Sequence, residues 1–261
     1  MTPHQIATTI SNHFDPSKSH VVHLDRRAML DTLGVTLTAS ELVVLAGAPV
    51  GSIVTIEKID ESEEPPGPFD PPQKVERIPA GLLLTVQNSG YIAGVNKVVL
   101  FNERDDAQSI SIYVKLVMFH PRALHPNVPK GVGALMLRSM LDGARNLAHF
   151  PRPFAKMTLM AAGGRNWGKN AVTGDRWSGY AVWPKYGFDA AILAVTTALF
   201  PRFSYHPENL SSCRMVSELL TLAPGGPEFW HIVGDGWYMD FDMSPGSTSE
   251  SRLSAFLGAS Q

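Results

Sequence analysis

The chain has one cysteine, Cys213, in 261 residues. That excludes an intrachain disulfide and a zinc site built from four thiolates, and it fits a reducing compartment. An excess of charge of one sign is also lacking. Lys and Arg number 22 against 24 Asp and Glu, so a formal net charge of −2 exerts no general pull on nucleic acid or anionic lipid. Long apolar runs are absent too. The longest, residues 188–200, is broken by Asp189 and two threonines and is too short to span a bilayer. The opening MTPHQIATTISNHF has neither the basic nor the apolar region of a secretion signal. No G-x-S-x-G elbow occurs, which removes the usual strand-to-helix setting for a serine nucleophile. The expectation is a cytoplasmic protein without nucleic-acid or membrane partners.

A hydrophobic content of 44% supplies enough apolar surface for a core in one large domain, or in a domain with a subdomain. Residues 1–47 read as helical: 3–13 and 19–33 carry apolar residues at mixed three-and-four spacing. Thr38 and Glu41 fit a capping box that opens a short helix through Leu45. Residues 50–59 are β-branched and alternating, which predicts a strand. The acidic, proline-rich stretch 60–73 predicts an exposed loop.

Three further strands are predicted at 81–86, 94–101 and 109–119. The first two are joined by a turn with Gly90 at positive φ, and the short connections imply an antiparallel meander. Apolar positions Leu135, Met136, Met140, Leu141, Ala144 and Leu147 then form one helical stripe. Residues 154–162 predict a buried strand parallel to 109–119, completing a right-handed βαβ unit. Beyond it come a glycine-rich loop at 161–170, a short helix at 176–185 and a mixed segment at 187–198. A helix around 213–222, aromatic-rich extended chain and a final helix from about Ser249 complete the reading. The chain divides as 1–75, 76–200 and 201–261: a helical N-terminal region with one strand and a loop, a central core, and an extension packed on it.

The chemistry concentrates at residues 114–134, where a strand leads through a loop into Lys130, Gly131, Val132, Gly133 and Ala134 and then a helix. Small residues there let backbone N–H groups point at a phosphate, and the helix dipole adds partial positive charge. Lys130 adds a point charge. A nicotinamide dinucleotide is disfavoured, because Met136 stands where a third glycine is needed and no acidic residue follows on the next strand. His20 and His23 share a helix face in this reading but lack a third ligand nearby, so no metal site is expected.

Taken together, the meander, the glycine turn, the helix, the next strand and the sequence Trp183-Pro184-Lys185-Tyr186-Gly187-Phe188 resemble the GCN5-related N-acetyltransferase (GNAT) superfamily. The likeness covers residues 109–189, with 81–101 similar to the preceding hairpin. The family's cofactor loop has Gln or Arg, two residues, Gly, one residue, then Gly or Ala. Here both glycines match, at Gly131 and Gly133, and Val128 holds the leading position. The resemblance implies an α/β fold with a mixed, mostly antiparallel sheet. It also implies acetyl-CoA, or another acyl-CoA, as cofactor.

On the same resemblance, backbone groups of Leu116, Val117, Met118 and Phe119 would hold the pantetheine arm as a pseudo-strand. An amide near Met118 would polarise the thioester carbonyl. An amine on a small molecule or a protein would attack directly. Arg176 would meet a phosphate. The family's tyrosine acid aligns with Trp183, whose indole cannot titrate usefully, so Tyr180 and Tyr186 are the substitutes. His120 is the candidate base, with His125, Glu103, Asp105 and Asp106 near it in sequence. Alternatives are a non-catalytic module on the same fold and an enzyme using another phosphorylated cofactor. The C-terminal aromatics suit an acceptor wall, a homodimer face or a second small core, and the core ranks first.

Overall fold

The computed structural model describes residues 1–22, 25–66, 75–103, 109–147, 152–165, 167, 177–204 and 207–259. Helix α1 (Pro3–His13) opens on a capping box between Thr2 and Gln5. A short strand β1 (His20–Val22) precedes helix α2 (Arg26–Leu33), whose N-cap is Asp25. This corrects the reading of 19–33 as one helix. The β-branched Val21 and Val22 pair in parallel with Val54 and Thr55, and Asp25 starts the helix only afterwards. Helix α3 (Ala39–Leu45) carries the expected Thr38–Glu41 box.

Strand β2 (Ile53–Ile59) follows, then β3 (Ser62–Glu64) and β4 (Glu76–Ile78), which pair as a small two-stranded sheet. The stretch expected to be loop therefore holds a strand at one end, while 67–74 lie outside the described residues. Strands β5 (Gly81–Gln87), β6 (Val95–Asn102) and β7 (Ile110–Leu116) form the antiparallel meander with β2. The positive φ in the β5–β6 turn falls at Gly94 (112°) rather than Gly90. The Asn88 side chain makes the turn instead, since its Oδ1 accepts from Gly90 N–H at 3.0 Å.

Helix α4 (Val132–Arg145) and strand β8 (Phe154–Met160) come next. Strands β7 and β8 begin side by side, with Ile110 N–H donating to the Pro153 carbonyl at 3.1 Å. Helix α5 (Gly179–Val182) runs into a 3₁₀ turn, Trp183–Tyr186, and α6 (Ala194–Thr197) and α7 (Val216–Thr221) follow. Helix α8 (Gly226–Val233), strand β9 (Tyr238–Asp242) and helix α9 (Thr248–Ala259) end the chain. The aromatic segment expected to be extended is therefore helical through Val233. Phe229, Trp230 and Val233 share one buried face there, three and four residues apart.

The main sheet has seven strands in the order β1-β2-β5-β6-β7-β8-β9 and is mixed but mostly antiparallel. In β9, Met239 and Phe241 are buried while Asp240 and Asp242 are exposed, the alternation of a one-sided edge strand. No helix of the described residues is long and apolar enough to cross a membrane.

Two compact units emerge. The first comprises Met1–Ser62, Ile78–Met157 and Asp242–Gln261. Its core is the apolar meander, with Leu82, Leu84, Val98, Leu100 and Ile112 fully buried, and α4, which buries Leu135, Met136, Met140 and Leu141. Close approach of α3 to α4 explains the glycine inside α4, because a Cβ on Gly143 would collide with Val44. Arg145 clamps the end of α4, donating to Glu250 at 2.6 Å and to the Met243 carbonyl at 2.9 Å.

The second unit comprises Glu63–Arg77 and Thr158–Phe241. Its core is aromatic: Phe200 and Phe203 meet Phe229 edge-on, Trp230 meets Trp237, and Phe188 meets Phe241. The C-terminal aromatics thus serve a second core, as ranked first from the sequence.

Candidate functional site

The end of β7 is shaped by a bulge. Lys97 pairs with Leu116 and Val98 with Val114, so Lys115 is the extra residue, and regular pairing stops there. Past the bulge the chain meets the β5–β6 turn through an isolated bridge between Ile92 and Phe119. The bonds flanking that bridge are Ala93 N–H to the Met118 carbonyl (3.0 Å) and His120 N–H to the Tyr91 carbonyl (2.8 Å). Strand groups alternate in direction, so the N–H and C=O of Phe119 face the edge away from β6.

Met118 faces the other way. Its N–H donates to Asn96 Oδ1 at 2.7 Å, so the amide nearest the expected position of the acyl carbonyl is already used. Phe119 is the strand-end amide aimed outward. Asn96 is 1% exposed, and its Nδ2 is buried without a hydrogen-bond partner among the described residues. The sequence reading missed Asn96. A polar residue inside the alternating apolar run VNKVVLF was the signal that could have found it.

The glycine turn behaves as a helix start. Gly131 sits at φ 71° as the N-cap of α4 and offers no side-chain cap. Val132 N–H turns back to the Pro129 carbonyl at 3.2 Å. Gly133 and Ala134, both buried, occupy the next two positions, where an α-helix leaves its N–H groups without intrahelical partners. That arrangement suits a pyrophosphate: small residues, outward amides and the positive end of a fourteen-residue helix. Val128, in the place of the family's Gln or Arg, is buried at 2% exposure. It packs rather than reaching for a ligand. Arg176 lies outside the described residues.

His120 stacks on His125, with ring centroids 3.7 Å apart and planes 16° from parallel. Its Nε2 lies 3.1 Å from the Ser89 carbonyl. A carbonyl only accepts, so Nε2 carries the proton, and Nδ1 is the lone pair that could act as a base.

Tyr180 and Tyr186 belong to the second unit, whereas His120 and the glycine turn belong to the first. The Tyr180 hydroxyl donates to the His231 carbonyl at 2.8 Å, and its own carbonyl accepts from the Trp230 indole at 2.9 Å. That side chain therefore holds α5 to α8. Tyr186 packs edge-on against Trp183, centroids 5.8 Å apart, and burial pushes its phenol above the ordinary range. It stays protonated at neutral pH, the state a general acid needs. Trp183 also meets Phe188 edge-on at 5.5 Å, and Gly187 turns the chain between them at φ 102°.

No protein-family model, curated protein or solved structure matches this chain.

Proposed function

We propose that this chain is an acyl-CoA-dependent N-acyltransferase of the GNAT kind, passing an acetyl group from acetyl-CoA to an amine. One observation carries the reading. A bulged strand at the end of an antiparallel meander leads, through a left-handed Gly131, into a long helix whose first amides have no side-chain cap. Acetyl-CoA, when bound, would supply a thioester as the acyl donor to the amine. Lys130 through Ala134 hold the pyrophosphate, and backbone groups at residues 116–119 orient the pantetheine arm.

The outward Phe119 N–H would polarise the thioester carbonyl, in place of the Met118 N–H, which serves Asn96. Nδ1 of His120 takes the proton from the incoming amine. Of the two candidate tyrosines, Tyr180 is committed to a backbone carbonyl, whereas burial keeps the Tyr186 phenol in the protonated state a general acid needs. The setting is cytoplasmic, in keeping with a single buried, free Cys213.

A second reading has its own support. Trp183 occupies the family's acid position and is packed between Tyr186 and Phe188. This favours a module that binds acyl-CoA, or a partner protein, without turnover. Thiol release from acetyl-CoA in the presence of an amine library separates the two. Release above the amine-free rate supports transfer; binding without release supports the module.

A further inference from the structure

A cavity of about 560 Å³ opens where the end of α1, the β5–β6 turn and the loop before α4 meet. Its walls include His13, Tyr91, Arg122, Pro126, Val128 and Pro129. None of residues 130–134 lines it, although Val128 and Pro129 of its wall lead directly into the glycine turn. Its volume falls in the range of sites for metabolite-sized molecules.

The walls are fixed by bonds that share one residue. Val50 N–H donates to the His13 carbonyl at 2.8 Å, and the Val50 carbonyl accepts from Asn88 Nδ2 at 2.9 Å. The α1 end and the β5–β6 turn are thereby tied to one point. His120 N–H donates to the Tyr91 carbonyl at 2.8 Å. Successive turns build the third wall, His125 N–H bonding to the Pro121 carbonyl and Val128 N–H to that of His125. On one wall of the cavity His13 Nδ1 and the Tyr91 hydroxyl are in direct hydrogen-bond contact, 2.7 Å apart, with the rings edge to face.

Its chemistry is specific. Burial lowers the His13 imidazole below its ordinary value and raises the Tyr91 phenol above its own, so both are neutral at neutral pH. Among the described lining residues Arg122, which is exposed, carries the charge, and none of them is a carboxylate. One guanidinium fork matches one carboxylate in geometry and charge; a phosphate dianion would call for a second cation. The Tyr91 ring and the two prolines offer apolar contact beside it.

We propose that this cavity binds a small organic monocarboxylate, its carboxylate on Arg122, its apolar body between the Tyr91 ring and Pro126 and Pro129, and the His13–Tyr91 pair as the polar wall. The proposal is independent of acyl transfer and stands or falls without acetyl-CoA.

The test is an NMR titration of the full-length protein with acetate, butyrate, benzoate and phenylacetate, each beside its primary amide. Ring signals of His13 and Tyr91 report occupancy. At least one acid is expected to shift both signals saturably, and its amide to do so far more weakly. Arg122→Gln is expected to weaken that acid by about ten-fold or more, while Arg122→Lys retains part of the affinity. Arg122 is exposed, so both variants are expected to melt like the wild type, which separates lost binding from lost fold. No saturable shift with any acid, equal binding of acid and amide, or an unchanged affinity in Arg122→Gln would overturn the proposal.

Discussion

Asn96 Oδ1 accepts the Met118 N–H at 2.7 Å, joining the start of β6 to the chain just beyond the β7 bulge. The bond directs Met118 toward β6 and leaves Phe119 facing the opposite edge. Replacing Asn96 with Leu removes the acceptor and strands a part-buried N–H. A loss of about 1–3 kcal/mol is expected, the usual cost of an orphaned donor. Urea denaturation measures it, and hydrogen exchange should show faster exchange at the Met118 amide. Unchanged stability and unchanged exchange would mean that the bond does not hold the strand end.

Glu250 gives the fold a pH dependence of stated sign. Hydrogen bonds from Arg145 and from Gly246 N–H, with the charges of Arg145 and Arg138, lower its carboxyl from 4.5 to about 2. The folded value lies below the unfolded one, so the native state holds fewer protons and the stabilisation is complete above about pH 4.5. It is lost as the pH falls toward 2. Glu250→Gln should therefore be less stable than the wild type at pH 7, with the gap shrinking through that acid window. Denaturant midpoints at a series of pH values check this; a gap that widens with acid would contradict it.

Gly143 offers a reversal of the usual rule. Glycine inside a helix costs up to about 1 kcal/mol relative to alanine, so Gly→Ala normally stabilises. Here the added methyl would collide with Val44 of α3. Gly143→Ala should destabilise by about 1–3 kcal/mol, as overpacking does. Thermal melts decide the sign, and a raised midpoint would show that α3 and α4 are not so close.

The fold was legible where local signals agreed. Thr38 with Glu41, the alternation of the meander, and the stripe from Leu135 to Leu147 each predict an element that the structure contains. The misses have local causes. Residues 19–33 mix helical spacing with two valines, and only the parallel partner strand at Val54 and Thr55 resolves them as β. Gly90 suggested a positive φ that Asn88 makes unnecessary. In the tail, aromatic content suggested extended chain, although Phe229, Trp230 and Val233 carry helical spacing.

Part of the candidate site is visible in composition alone. The Lys130–Ala134 turn stands out by composition, because small residues before an apolar stripe are a local pattern. Asn96, Tyr91 and His13 do not, since each matters through a partner far away in sequence. Their pairing is tertiary information. Tyr180 could not be told from Tyr186 by spacing, whereas the His231 carbonyl separates them at once.

Gly131 tests the cradle directly. Its φ of 71° disfavours any side chain, but there is room, since the nearest atom to an added Cβ is Phe256 Cε1 at 3.8 Å. Gly131→Ala should cost about 1–2 kcal/mol of stability for the left-handed backbone. It should leave binding measurable. Gly131→Glu should add charge repulsion against a pyrophosphate and abolish acetyl-CoA binding in a protein that still melts cooperatively. Wild-type affinity in Gly131→Glu would place the cofactor elsewhere.

Calorimetric titration of the wild-type protein with acetyl-CoA tests the central claim most directly. The account predicts saturable binding with one cofactor per chain and a raised melting midpoint in its presence. Absence of heat and of any thermal shift at millimolar acetyl-CoA would contradict it.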